Sequence, residues 1–177
     1  KGNFDTKEAY GTARINLEFM TAKAKDPKVK GQLYGNSGIF LMSGYEVQVM
    51  NSYKNDTNAD GMCGAIWGQQ PPLVNASRAP GQWQSYDILM KAPIFSEDGK
   101  VLEPMRATIF HNGELIQNDT YFLGEVNKPY KAHGKRPLRI QDHKGSGIFF
   151  RNMWIVPDVD YDKSLDSFRY SFNSVPA

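Results

Sequence analysis

Apolar and polar residues alternate in several short stretches of this chain, a pattern typical of β-strands that bury one face. The clearest early example is residues 12–21, where nearly every second side chain is apolar. Residues 35–53 hold two apolar runs on either side of Ser43-Gly44, which predicts two strands joined by a tight turn. A further hairpin is predicted at Asn112-Gly113, because both central residues of a type I′ turn need a positive φ.

The second strand of the 35–53 hairpin has two chemically different faces. Side chains alternate along a strand, so one face consists of Tyr45, Val47 and Val49, and the other of Glu46, Gln48 and Met50. If the apolar face lies toward the core, a carboxylate and an amide stand side by side on the opposite surface. Such groups can read sugar hydroxyls, since they accept and donate hydrogen bonds in fixed directions. The alternative is a solvated polar face on an ordinary antiparallel strand.

Short strands between glycine- and proline-rich turns predict an all-β sandwich of antiparallel strands, formed by a single domain over residues 1–177. Residues 147–156 are apolar on nearly both faces, which predicts a central strand buried on both sides. We find no strong amphipathic helix. In residues 158–177, Phe168, Tyr170 and Phe172 recur at strand spacing, so this tail is predicted to be an edge strand or an ordered arm.

Composition excludes several classes of function. With 40% hydrophobic and 23% charged residues, the chain is globular rather than disordered. Its net charge of +2 and the absence of a Lys/Arg run argue against a nucleic-acid partner. No apolar stretch reaches the roughly 18 residues that a membrane span needs. Cys63 is the only cysteine, which excludes an internal disulfide and a cysteine-based zinc site.

The three histidines differ in setting. His111 precedes the Asn-Gly turn and is predicted to be an exposed turn residue, and His133 is predicted to face solvent. His143 follows a predicted strand over residues 137–142, where an imidazole could shuttle a proton or simply belong to a turn. The acidic stretch at residues 158–162 lacks the glycine and distal glutamate of a calcium loop, so we expect no metal and no other cofactor.

Eight short strings occur in order along residues 5–156. They are Gly35-Asn36-Ser37-Gly38-Ile39-Phe40, Tyr45-Glu46-Val47-Gln48, Gly64-Ala65-Ile66-Trp67, Asn75-Ala76, Pro80-Gly81-Gln82-Trp83, His111-Asn112-Gly113, Gln141-Asp142-His143 and Phe150-Arg151-Asn152. Each string alone is a weak signal. As an ordered set they resemble the 3-keto-disaccharide hydrolase family, formerly a domain of unknown function.

The resemblance implies a concanavalin-A-like jelly-roll sandwich of two antiparallel sheets, and a carbohydrate as substrate or ligand. Family members with an assigned activity cleave glycosides oxidised at C3. The 3-keto group acidifies the proton at C2, so a base can remove it, the C1 substituent can leave, and water can then add. Such a site needs a base, an acid and donors for the enolate oxygen.

The resemblance also suggests a role for each candidate residue. Glu46 is the candidate base or acid, with His143 as its alternate. Asn36, Gln48 and Arg151 are candidates for holding the ketone oxygen and hydroxyls, Asp142 for orienting His143 or facing the ligand, and Trp67 for an apolar platform under a sugar ring.

Two departures from the family pattern limit the transfer. The family usually opens with further strands, which we expect to be absent here because the match begins near Asp5. It also commonly has an aspartate where Asn51 stands and a tyrosine where Trp67 stands. The family resemblance alone implies a bacterial protein that is periplasmic or secreted. A non-catalytic glycan-binding module is the main alternative to the enzyme, since one fold hosts both classes, and a protein-interaction domain is a third reading.

Overall fold

The computed structural model describes residues 2–23, 28–143 and 146–173. In chain order the strands are β1 Phe4–Tyr10, β2 Ala13–Thr21, β3 Ser37–Leu41, β4 Tyr45–Val49, β5 Gln84–Lys91, β6 Ile94–Phe95, β7 Val101–Glu103, β8 Arg106–His111, β9 Glu114–Tyr121, β10 Arg136–Ile140 and β11 Ile148–Pro157. Short 3₁₀ turns occupy Gly31–Leu33 and Ala59–Gly61, and an α-helix, α1, spans Tyr161–Asn173. Within the described residues, no helix is long and apolar enough to cross a membrane.

Two antiparallel sheets form the sandwich. The small sheet has the order β1-β10-β3-β4, and the large sheet has the order β11-β2-β5-β8-β9. Strands β6 and β7 make a separate hairpin. The structure confirms the prediction of an all-β jelly-roll sandwich.

The core lies between the two sheets and follows from the alternation in sequence. In β2 every second residue is buried, from Ala13 to Thr21. In β4 the predicted apolar face, Tyr45, Val47 and Val49, belongs to this core. Because strand side chains alternate, Glu46 and Gln48 must then point away from the core, on the outer side of the small sheet.

The two predicted turns form as expected. Residues 42–44 connect β3 to β4, and Met42 and Ser43 adopt φ values of 48° and 58°. Asn112 and Gly113 connect β8 to β9 with φ values of 54° and 87°. Two consecutive residues with positive φ give the twist that a tight hairpin needs.

Two predictions about the C-terminal part of the chain are wrong. Strand β11 is an edge strand and not a central one, since it pairs with β2 alone. The tail was predicted to be an edge strand or an ordered arm; Tyr161–Asn173 form helix α1, so the edge-strand alternative is wrong. Phe168 packs there against Leu89 and Phe110 on the outer face of the large sheet, so α1 covers apolar side chains that a further strand would have covered.

Candidate functional site

The outer face of the small sheet, which we call the polar face, gathers most of the predicted site residues. Strand register puts Glu46 opposite Phe40, Phe40 opposite Arg139, and Arg139 opposite Asp5. These four side chains therefore form one row across four strands. Neighbours in such a row lie about 5 Å apart, close enough to act on a single ligand.

Glu46 is a buried carboxylic acid at the β4 end of this row. Its side chain lies over Gly38, where an added Cβ would sit 2.9 Å from the Glu46 Cδ. Only glycine at position 38 leaves that space. Glu46 is 3% exposed, and burial raises the pKa of its carboxyl to about 8. Among the described residues none donates a hydrogen bond to this carboxyl. Glu46 is therefore mainly protonated at neutral pH, because burial disfavours the charged form.

Asn36 and Gln48 lie beside Glu46 on the polar face. Both are buried, and both donate a hydrogen bond of 3.1 Å to the Oε1 of Gln32. The Oε1 of Gln48 is buried and has no partner within the part of the chain that the structure describes. This unpartnered oxygen lies next to the acid and is closed to solvent in this structure.

Trp67 lies in a turn beside β4. Its backbone N–H donates to the Glu46 carbonyl at 3.1 Å. The preceding residue, Ile66, bridges to Val47 and belongs to the core, and the Trp67 side chain is half-buried.

A cleft of about 400 Å³ opens on the polar face next to Phe40. It is lined by Asn3, Phe40, Arg139, Gln141, Asp142 and His143. Since Phe40 is the direct cross-strand neighbour of Glu46, the cleft begins about one strand spacing from the acid. The exposed imidazole of His143 forms part of its wall.

Charges at the cleft are largely paired. The Arg139 guanidinium binds Asp5 through two bonds, of 2.7 Å and 2.9 Å. The Asp142 carboxylate accepts a hydrogen bond of 2.8 Å from the Gly2 backbone. That contact holds the backbone at Gly2 against the cleft.

Arg151 is not part of this constellation. It lies on β11, opposite Glu18 on the outer face of the large sheet. Its Nε donates to Glu18 at 2.6 Å, and its guanidinium stacks over Trp83 at 3.8 Å. Both sheets of the sandwich, which pack about 10 Å apart, separate it from Glu46. A role for Arg151 beside Glu46 therefore has no geometric support.

The prediction for His111 is wrong. This residue is fully buried in the core, where its Nε2 contacts the Oε1 of Gln84 at 3.0 Å. Burial, assisted by the charge of Arg78, lowers its pKa to about 3. His111 is therefore neutral and inaccessible to a substrate.

Three residues at the site were not predicted. Phe40 and Arg139 could have been found, because each alternates with core residues of its own strand. Gln32 sits in a loop without periodicity, so its sequence context carries no such signal. No group of three or more His, Cys, Asp and Glu side chains suited to a metal ion occurs within residues 2–23, 28–143 and 146–173.

Comparison with known proteins places this geometry in a family. A model described as a 3-keto-alpha-glucoside-1,2-lyase-like domain matches residues 1–156. A solved structure of a "putative glycosyl hydrolase" from Parabacteroides distasonis is 39% identical, with a TM-score of 0.82; the match covers 89% of this chain and 68% of that one.

Two further structures with that description and organism share the fold at 18% and 20% identity, with TM-scores of 0.58 and 0.59. These matches cover 89% of this chain, and 84% and 76% of the other chains. Among curated proteins, none matches this chain.

Proposed function

This chain belongs to the 3-keto-alpha-glucoside-1,2-lyase-like family, and from that premise we propose that it is a carbohydrate-active enzyme that cleaves 3-keto-glycosides by elimination and hydration. The observation that carries the proposal is Glu46, a buried acid with its pKa raised to about 8, one strand away from an open cleft. Strongly shifted carboxyl groups beside clefts mark sites of acid–base chemistry. The family and its structural neighbours support a carbohydrate as the substrate.

The elimination step needs an acid and a base at the same time. His143 takes the proton from C2, and the electron pair of that C–H bond forms the C1=C2 double bond as the C1–O bond breaks. The 3-keto oxygen carries the developing negative charge, and Gln141, which lines the cleft, is the residue that donates a hydrogen bond to it in this proposal. Glu46 gives its proton to the departing oxygen, which leaves as an alcohol.

Hydration restores both groups. The Glu46 carboxylate formed in the first step takes a proton from water as the oxygen of that water bonds to C1. The imidazolium of His143 then returns its proton to C2. The products are the free 3-keto sugar and the alcohol, and the enzyme regains its starting protonation state. A glycoside without the 3-keto group has no acidified C2–H, so it is not a substrate for this route.

Release of the alcohol from a panel of 3-keto-disaccharides tests the proposal. We expect turnover by the wild type, and a loss of about 10²–10⁴-fold in kcat for Glu46→Gln and for His143→Ala, the usual size of a general acid–base contribution. The exposed Glu97→Gln is the matched control and should keep full activity. Circular dichroism checks that each variant is folded.

Two results would decide against the enzyme. Full turnover by Glu46→Gln would show that Glu46 is not the general acid. No turnover by the wild type on any member, with saturable binding of ordinary glycans, would instead favour a binding module, for which Phe40, Trp67 and the two amides would suffice.

A further inference from the structure

We propose that the cavity between α1 and the outer face of the large sheet, which we call the helix cavity, binds a small uncharged aromatic molecule that carries a hydrogen-bond-accepting oxygen. The helix cavity and Glu46 lie on opposite sides of the sandwich, so this inference goes beyond the proposed function and does not depend on it. The family model ends at residue 156, whereas α1 begins at Tyr161. One wall of the cavity is therefore supplied by a helix outside the matched domain.

The helix cavity has the size and lining of a small-molecule site. Its volume is about 370 Å³, within the range of pockets that bind small molecules, which are mostly apolar with a few polar groups. Trp154 and Val156 are 44% and 47% exposed, so apolar surface of β11 is open to a ligand. Besides two serines of α1, the lining residues are Arg14, Leu89, Trp154, Val156, Val159 and Phe168.

The helical wall is held in place without a ligand. The Tyr161 hydroxyl donates to Asp119 of β9 at 2.6 Å, and the Arg169 Nη2 donates to the neighbouring Asn118 side chain at 2.6 Å. These bonds lie on either side of Phe168, the aromatic residue that α1 contributes to the lining. Small-molecule sites are usually largely formed before their ligand arrives, and the helix cavity meets that condition.

Arg14 is the donor of the site. Its Nε and Nη2 bind the Asp87 carboxylate at 3.0 Å and 2.6 Å. Its Nη1 has no hydrogen-bond partner among the described residues, and the side chain is 37% exposed. The guanidinium carbon lies 4.9 Å from the ring centre of Phe168 and 5.7 Å from that of Trp154. The free N–H groups of Arg14 can therefore donate to an oxygen of a molecule that contacts these rings.

The charges at the cavity favour a neutral ligand. Asp87 already neutralises Arg14, and the cavity lining contains no other ionisable side chain. An anion that entered would lose its hydration among apolar side chains and would meet a cation that is already paired. A neutral carbonyl or ether oxygen loses much less hydration and still accepts a hydrogen bond from Arg14.

The two rings of the lining favour an aromatic ligand over an aliphatic one. Aromatic pairs in offset or edge-on arrangements gain affinity beyond the area that they bury, by about two- to tenfold for each pair. Trp154 offers an accessible ring for such a pair, since almost half of its surface is exposed.

Titration calorimetry with methyl benzoate tests the proposal. We expect one saturable site with a Kd of about 1 mM, the value that about ten ligand atoms support. Methyl cyclohexanecarboxylate, which lacks the aromatic ring, should bind at least about threefold more weakly. Toluene, which lacks the oxygen, and the benzoate anion should each bind about tenfold more weakly or less.

Two variants of α1 locate the binding. Ser164 lines the cavity, so the phenyl ring of Ser164→Phe should fill it and abolish binding of methyl benzoate. Lys163→Phe is the matched control, because this neighbouring side chain is 86% exposed and does not line the cavity. It should bind the ester as the wild type does. Circular dichroism and the unfolding midpoint check that both variants keep the fold.

Arg14→Lys tests the donor. Lysine keeps a positive charge beside Asp87 but has no group equivalent to the free Nη1. The variant should bind toluene as the wild type does, and its preference for the ester over toluene should fall from about tenfold to about twofold or less. An unchanged preference would show that Arg14 is not the donor and would overturn the assignment.

Four further results would overturn the proposal. They are no saturation at about ten times the expected Kd, unchanged binding by Ser164→Phe, equal or tighter binding of benzoate, and equal binding of the cyclohexane ester. A wild-type dimer that Ser164→Phe converts to a monomer, seen by analytical ultracentrifugation, would instead show that a second copy of the chain occupies the cavity. All these measurements report binding or assembly, so a protein inactive on 3-keto-disaccharides leaves the test unchanged.

Discussion

Replacing Glu46 by glutamine should stabilise the protein, and increasingly so as the pH rises. In the unfolded chain the carboxyl has its ordinary pKa of 4.5, and in the folded protein burial raises the pKa to about 8. Between these values the unfolded state has released its proton while the folded state still holds it. The free energy of unfolding therefore falls as pH rises through this window.

The magnitude follows from the two pKa values. Each pKa unit is worth about 1.36 kcal/mol, so the interval from 4.5 to about 8 amounts to about 5 kcal/mol above pH 8. Because Glu46 is only 3% exposed, solvent screening removes little of this cost. Glutamine has nearly the shape of the protonated acid and does not titrate. The variant should match the wild type at pH 4 and exceed it by up to about 5 kcal/mol at pH 9.

Urea unfolding at half-unit intervals from pH 4 to pH 9 measures the difference. The surface variant Glu97→Gln is the control, because it shows how much the loss of one negative charge alone changes the free energy of unfolding. Parallel stability curves for wild type and Glu46→Gln, within about 0.5 kcal/mol, would refute the buried acid. A variant that is more stable but inactive would show that the buried Glu46 carboxyl is needed for activity and lowers the free energy of unfolding.

Three further predictions concern the same site and its surroundings. Gly38→Ala should lower kcat by about 100-fold, because the methyl group displaces the Glu46 carboxyl; turnover assays on the folded variant check this, and unchanged kcat would contradict it. With Glu46 as the acid, kcat/KM should fall as pH rises through about 8, whereas a rate that climbs steadily to pH 10 would rule that role out. Arg151→Ala should leave turnover within about twofold, since Arg151 lies on the large sheet, away from Glu46. A loss of about 100-fold in the turnover assay would contradict this and show that Arg151 takes part in the site.

The faces of individual strands could be predicted from sequence, because they depend on alternation alone. That is why Glu46 and Gln48 were expected on one surface, and why they lie there. Which sheet a strand joins depends on distant partners, and alternation does not report it. Arg151 was a candidate because of its residue type and motif position, and neither of these reports that its strand lies in the other sheet.

Strand β11 and helix α1 show a second limit. Trp154 and Val156 are 44% and 47% exposed and line a cleft with Phe168 of α1. The apolar residues on both faces of β11 predicted burial on both sides, but most residues of this edge strand stay exposed in the structure. The helix itself had a usable signal, since the Asp160 carboxylate accepts the Lys163 N–H at 3.2 Å as an N-cap.

Glu46 and His111 together should determine how stability varies with pH. His111 is neutral when folded, with its pKa lowered to about 3 from the ordinary 6.5, so its contribution is complete above pH 6.5 and is lost as pH falls toward 3. Glu46 acts in the opposite direction above pH 4.5. Between pH 4.5 and 6.5 the two slopes, each about 1.36 kcal/mol per pH unit, cancel. We therefore expect a plateau in the free energy of unfolding across that interval and a decline on either side. His111→Gln should remove the rise at acid pH, so that stability falls from pH 4.5 to about 8 without a plateau. Glu46→Gln should remove the alkaline decline, so that stability rises from about pH 3 to pH 6.5 and then stays level. A single maximum that neither substitution changes would show that other groups control the pH dependence.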